Sequence, residues 1–209
     1  MGGHEAGEVA SLEAVQAIGK HLTLAKIQPL SGQRQLIETA LIEAVLAAHQ
    51  HIRQISNDRP QSCRMGTTVV MALIQDRILY TCHVGDSRAY VIRESGMYQI
   101  TEDHSEVSLA VRQGIITRAE ARVSPLKNHI IQALGTTPEI YPEVNEFLLE
   151  AGDLVLLCSD GLWDMLTDDE IFQIISASNT LPEAGQQLIA AANEAGGKDN
   201  ITLILAGVI

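Results

Sequence analysis

Residues 67–92 read TTVVMALIQDRILYTCHVGDSRAYVI. β-Branched and aromatic residues crowd three short runs here, Thr67–Ile74, Ile78–Val84 and Ala89–Ile92, and each run is bounded by Gly, Asp, Ser or Glu-Ser-Gly turn residues. Links this short join strands as hairpins, so the stretch predicts an antiparallel meander. Working outward, apolar residues before it recur at steps of three and four. Val9, Leu12, Val15, Ile18 and Leu22 mark one buried helix stripe over Glu8–Leu22. Leu36, Ile37, Leu41, Ala44, Val45, Ala48 and Ile52 mark a second, longer helix with Ser31 as its expected N-cap, ended by Asn57–Pro60. Beyond the meander, residues 105–123 return to a mixed helical texture with Gly114 inside it, followed by Ser124 and Pro125. Strands are expected at Glu146–Leu149, Leu154–Cys158 and Ile201–Val208, and helices at Asp169–Ser176 and Pro182–Ala195. Helices before, between and after blocks of hairpin-linked strands predict an α+β fold on antiparallel sheets, in a single domain of 209 residues.

Composition narrows the function. Fourteen basic residues stand against 26 acidic ones, a formal charge of -12 that repels nucleic acid and anionic lipid. Every apolar run is shorter than the roughly 20 residues of a membrane span, and the N-terminus carries no basic segment with an apolar secretory core. A cytoplasmic location is expected. The three cysteines, Cys63, Cys82 and Cys158, form no CxxC pair, and Cys82 and Cys158 fall in apolar strand-like runs where packing is the expected role.

Candidate chemistry concentrates at aspartates beside glycine or asparagine: Cys158-Ser159-Asp160-Gly161, Gly196-Gly197-Lys198-Asp199-Asn200 and Thr101-Glu102-Asp103-His104. Each adjoins a predicted strand, where a sheet can aim a loop carboxylate. Separated aspartates suit hard cations such as Mg²⁺ and Mn²⁺, which activate water and clamp phosphoryl oxygens without a protein nucleophile. Any one of these runs alone reads more readily as an ordinary turn than as a metal site.

Their combination is more specific. Met1-Gly2-Gly3-His4, Gly66-Thr67-Thr68, His83-Val84-Gly85-Asp86-Ser87-Arg88-Ala89-Tyr90, Thr101-Glu102-Asp103-His104-Ser105, Ala133-Leu134-Gly135, Ser159-Asp160-Gly161-Leu162-Trp163-Asp164 and Gly197-Lys198-Asp199-Asn200-Ile201-Thr202 follow one another across nearly the whole chain. In that order and spacing the chain resembles the bacterial PPM (type 2C) metal-dependent serine/threonine protein phosphatases. The resemblance implies a four-layer αββα sandwich of two antiparallel sheets and a centre of two, or three, Mn²⁺ or Mg²⁺ ions. It implies Asp160 and Asp199 as metal ligands, Asp103 as a ligand of the third ion, and residues 105–135 as a flap beside the cleft. Asp86 and Arg88 take a structural role in the turn, as a carboxylate paired with the guanidinium. His4 is a candidate for leaving-group protonation or phosphate orientation, while a role supporting the metal ligands from behind, or packing, is expected of His104 and Trp163.

Departures from the family pattern carry expectations too. The family places Asp-Gly before the Met-Gly-Gly-His seen here, and an arginine and an acidic residue farther upstream. Without them the N-terminal strands are expected to be missing, and metal binding and hydrolysis to be impaired. Ser124-Pro125 stands where flaps often carry His-Pro, and Gln132 where an arginine often precedes Ala-Leu-Gly. The expected substrates are phosphorylated proteins, with a serine/threonine kinase or its targets as partners and a monomeric state. A non-catalytic phosphoprotein-binding or regulatory module is the alternative, and a small phosphate ester as substrate is a third reading.

Overall fold

The structure is a computed structural model that describes residues 4–57 and 65–208, with side chains described from Ala6. Cys63 and most of the expected break at Asn57–Pro60 lie outside the described residues. The order is α1 (His4–His21), α2 (Leu24–Ile27), a 3₁₀ turn (Gln28–Leu30), α3 (Arg34–Asn57), β1 (Val69–Gln75), β2 (Ile78–Val84), β3 (Arg88–Arg93), β4 (Gly96–Gln99), α4 (Glu106–Arg112), α5 (Arg118–Val123), β5 (Glu143–Leu148), β6 (Leu154–Cys158), α6 (Asp160–Trp163), α7 (Asp168–Ala177), α8 (Leu181–Glu194) and β7 (Leu203–Gly207). Two antiparallel sheets result, of strand order β1-β2-β5 and β4-β3-β6-β7, flanked by helices as the α+β reading requires. Asp76 and Arg77 make the β1–β2 hairpin with φ values of 52 and 64, the left-handed pair that a two-residue turn needs to match strand twist.

Ser31 does not cap α3. It closes the preceding 3₁₀ turn, Gly32 then reverses the chain at φ 75, and Gln33 supplies the carbonyl that accepts from the Leu36 and Ile37 N–H groups. Three short elements go beyond the expected set: α2, of four residues, β4, whose run Gly96–Gln99 holds no β-branched residue, and α6, a single turn.

The chain divides into two compact units. The first takes in Met1–Val69, Cys82–Asp86 and Asp103–Asn145. Within it α1 packs along α3 through Ala10 and Ala14 against a buried stripe of Ile37, Leu41, Ala44, Val45, Ala48 and Ile52, and His51 reaches Glu13 at 2.7 Å. The second takes in Val70–Thr81, Ser87–Glu102 and Glu146–Ile209. Here β3 and β6 are buried on both faces, which is why they read as unbroken apolar runs. Tyr90, Ile92, Leu156 and Cys158 face Leu162, Trp163, Ile171, Ile175, Ala184 and Leu188 of α6–α8, whereas Val91 and Val155 face Leu79 and Leu149. Cys82 and Cys158 are both buried, free thiols. Among the described residues no helix is long and apolar enough to cross a membrane.

Candidate metal centre

Two of the predicted aspartates meet at one end of the β6–β7 pair. β6 and β7 run antiparallel with Cys158 opposite Leu203, so the chain leaving β6 and the chain entering β7 emerge together. Ser159 extends the pairing past the strand ends. Its N–H donates to the Thr202 carbonyl at 3.0 Å, its Oγ donates to the Asn200 carbonyl at 3.1 Å, and the same Oγ accepts from the Thr202 N–H at 3.1 Å. Asp160 follows as the first residue of α6, and Asp199 precedes Asn200, whose N–H donates to Asp199 Oδ1 at 2.7 Å.

Gly161 completes this contact. A Cβ built there would strike the Asn200 carbonyl oxygen and come within 2.9 Å of its carbonyl carbon, so only glycine lets the two loops approach this closely. Arg88 braces the other end of α6. Its guanidinium lies 3.6 Å over the Trp163 ring and donates to the Tyr90 hydroxyl at 3.0 Å.

The electrostatics of the pair bear on what it can hold. Burial pushes the Asp160 carboxyl above the usual carboxylate range, and the negative charge of Asp199 pushes it further. Two neighbouring carboxylates offer hard oxygen donors, and a divalent cation held by both would favour the ionised form of Asp160. The donor set therefore fits Mg²⁺ or Mn²⁺.

Asp103 belongs to the first unit. It is buried, between β4 and α4, and its carbonyl accepts from the Ser105 N–H at 2.9 Å. Asp86 is buried in the turn after β2. His4 is the first residue of α1, and its side chain lies outside the described residues.

Beside Asp103 stands a group not anticipated as a unit: His83, His104 and Glu143, whose nitrogen and carboxylate atoms all lie within 4.8 Å of one another. The His83 and His104 rings stack at 4.6 Å, and His104 Nε2 lies 3.6 Å from Glu143. The Gly85 N–H donates to His104 Nδ1 at 3.2 Å, which places the proton of the neutral ring on Nε2, toward Glu143. A metal-ligating histidine ordinarily donates through its second nitrogen. Here that nitrogen accepts, so the cluster reads as a hydrogen-bonded support for the Asp103 loop. Burial, and then the neighbouring His83, lowers the His104 pKa and favours that neutral form.

The family profile described as protein phosphatase 2C matches residues 1–204. The chain belongs to the protein phosphatase 2C family. Protein phosphatase PhpP of Streptococcus pneumoniae serotype 2 (strain D39 / NCTC 7466) is 38% identical over 210 residues, spanning 100% of this chain and 82% of that protein. The crystal structure of the Mycobacterium tuberculosis serine/threonine phosphatase PstP/Ppp superposes with a TM-score of 0.87 at 34% identity, covering 100% of this chain and 85% of that one. A catalytic domain of serine threonine protein phosphatase PstP in complex with two manganese ions superposes with a TM-score of 0.81 at 32% identity, covering 100% and 84%. The protein phosphatase 2C membership makes the chain a hydrolase of the serine/threonine phosphatase class. The impaired hydrolysis expected from the sequence is not borne out by these comparisons, and they do not favour the non-catalytic alternative.

Proposed function

We propose that this chain hydrolyses phosphoserine and phosphothreonine monoesters in proteins, using Mn²⁺ or Mg²⁺ held by Asp160 and Asp199. The observation that carries the proposal is the pairing of these two carboxylates across strand ends zipped together by Ser159, in a member of the protein phosphatase 2C family. Divalent cations on such oxygen donors supply Lewis-acid activation of water and neutralise the charge of a phosphoryl group. Asp160 and Asp199 set the position of that charge, and Ser159 and Gly161 hold the two loops at a fixed separation. Asp103 is the proposed ligand of a third ion. Residues 105–135 form the proposed flap, Asp86 and Arg88 hold their turn, and His4 is the candidate for protonating the leaving serine or threonine oxygen.

The bacterial phosphatase relatives support phosphoproteins as substrates. Proteins phosphorylated by a serine/threonine kinase are the proposed targets, acted on by a monomer in the cytoplasm. The experiment is release of phosphate from a phosphothreonine peptide with Mn²⁺, with Mg²⁺ and with excess chelator. Activity with either cation and its loss with chelator are expected, and full activity in chelator would reject the proposal.

A further inference from the structure

Asp160 begins a helix too short to stand alone. α6 is one turn, Asp160–Trp163, in which the Asp160 carbonyl accepts from the Asp164 N–H at 2.9 Å. A single turn fixes several dihedrals for one hydrogen bond and does not persist without outside contacts. The Ser159 hydroxyl stands at the N-cap without capping the turn, because it bonds the Asn200 carbonyl and the Thr202 N–H instead. The support comes from the other end, where Leu162 is fully buried and Trp163 nearly so.

A polar chain seats the Trp163 ring. Arg88 and Tyr90 stand two residues apart on β3 and so face the same side of the sheet. The register sets Arg88 opposite Cys158, two residues before Asp160. The guanidinium carbon of Arg88 lies 3.6 Å from the centre of the Trp163 ring, a cation–π contact, and its Nη1 donates to the Tyr90 hydroxyl at 3.0 Å. That hydroxyl in turn donates to Oδ1 of Asp168, the first residue of α7, at 3.4 Å. All of these residues, with Asp160 and Asp199, belong to the second compact unit. The guanidinium is thus tied through Tyr90 to α7 and lies over the last residue of the turn that starts at Asp160.

We infer that Arg88 is a positioning residue for Asp160: by clamping the Trp163 ring it fixes the turn that aims the Asp160 carboxylate, so cation affinity depends on a contact made by no ligand. The inference rests on the phosphatase reading, in which Asp160 holds the cation, and gives Arg88 a task beyond its own turn. Lysine is not an equivalent, since an ammonium has no planar face to lay over the ring and no fork with which to reach Tyr90 at the same time.

The test measures Mn²⁺ binding by calorimetry in wild type, Arg88→Gln, Arg88→Lys and Tyr90→Phe. Trp163 is the sole tryptophan of the chain, so its fluorescence reports on α6 alone. The dissociation constant for Mn²⁺ rises about ten-fold in Arg88→Gln, somewhat less in Arg88→Lys and about three-fold in Tyr90→Phe. Quenching of Trp163 by acrylamide in the metal-free proteins increases in the same order. With a phosphothreonine peptide, saturating Mn²⁺ brings kcat of each variant back toward wild type while the KM for peptide stays unchanged. Wild-type Mn²⁺ affinity in a folded Arg88→Gln variant, or a loss of kcat that saturating Mn²⁺ does not recover, would overturn the inference. Should Arg88→Gln fail to fold, Tyr90→Phe, which lacks one oxygen atom, decides by the same measurements. Wild type that neither binds Mn²⁺ nor releases phosphate refutes the phosphatase reading and the clamp with it, whereas wild-type binding matched by the variants refutes the clamp alone.

Discussion

Gly161 and Ser159 decide how far apart two negative charges stand. Ser159 spends its single hydroxyl on both backbones of the β7 approach, and Gly161 gives up its side chain so that the Asn200 carbonyl can sit against it. Gly161→Ala forces the Asp199–Asn200 loop outward while leaving every proposed ligand in place. Residues that orient metal ligands typically contribute 10- to 100-fold to affinity or activity. The expected result for Gly161→Ala is a rise of about ten-fold or more in the Mn²⁺ concentration needed for half-maximal activity, with melting behaviour close to wild type. Ser159→Ala is expected to move the same way by a smaller factor. An unchanged Mn²⁺ requirement in both would mean that the loop contact does not govern the site. The sequence made Asp160 and Asp199 legible as carboxylates at strand ends, but not their spacing. Spacing arises from a hydroxyl and a missing Cβ, and neither carries a pattern along the chain. Glu143 went unrecognised for a related reason: its partners His83 and His104 are distant in sequence, and no regular interval announces the cluster.

Among the elements, the strands with apolar runs and the helices with a three-to-four repeat were legible, because burial on a face imposes a period; the face itself was misread in α1, where Leu12 and Val15 of the expected stripe are exposed and Ala10 and Ala14 are buried instead. β1, β2, β3 and β6 match their expected runs closely, and α7 and α8 fall within a residue or so of theirs, each started by a threonine N-cap. Short elements were not legible. α2, α6 and β4 are four residues each, too short to express a period, and they are set by what precedes and follows them. The β3–β6 pair is locked at its far end by Arg93, which donates through Nε to Asp153 at 2.8 Å and through Nη2 to the same carboxylate at 2.9 Å. Asp153 also accepts from the Glu150 N–H at 2.7 Å. Burial alone would raise the Asp153 pKa, but the hydrogen bonds from Arg93 and Glu150 outweigh it and hold the carboxyl below its usual range. A depressed carboxyl stabilises the fold fully above its unfolded pKa of about 3.9, and that contribution drains away as pH falls through the lower folded value. Asp153→Asn should therefore lower the melting temperature by roughly 5 °C at pH 7, with the difference from wild type narrowing below about pH 4. A gap of constant size down to pH 2 would contradict the ion-pair account.

For the whole molecule, the α+β class and the two antiparallel sheets follow from the order of periodic segments, and membership of the protein phosphatase 2C family follows from a chain of motifs that no single one could establish. What remained out of reach was the division into two compact units, since β1, β2 and β5 read as single strands yet each gives residues to both. The central claim is that Asp160 and Asp199 together hold the cations on which hydrolysis depends. Its most direct measurement is Mn²⁺ binding by calorimetry, paired with phosphate release from a phosphothreonine peptide, for wild type, Asp160→Asn and Asp199→Asn. Each substitution is expected to weaken Mn²⁺ binding by at least about ten-fold and to lower turnover by about 100-fold or more, while the folded state of each variant survives. Wild-type affinity and turnover in either variant would contradict that claim.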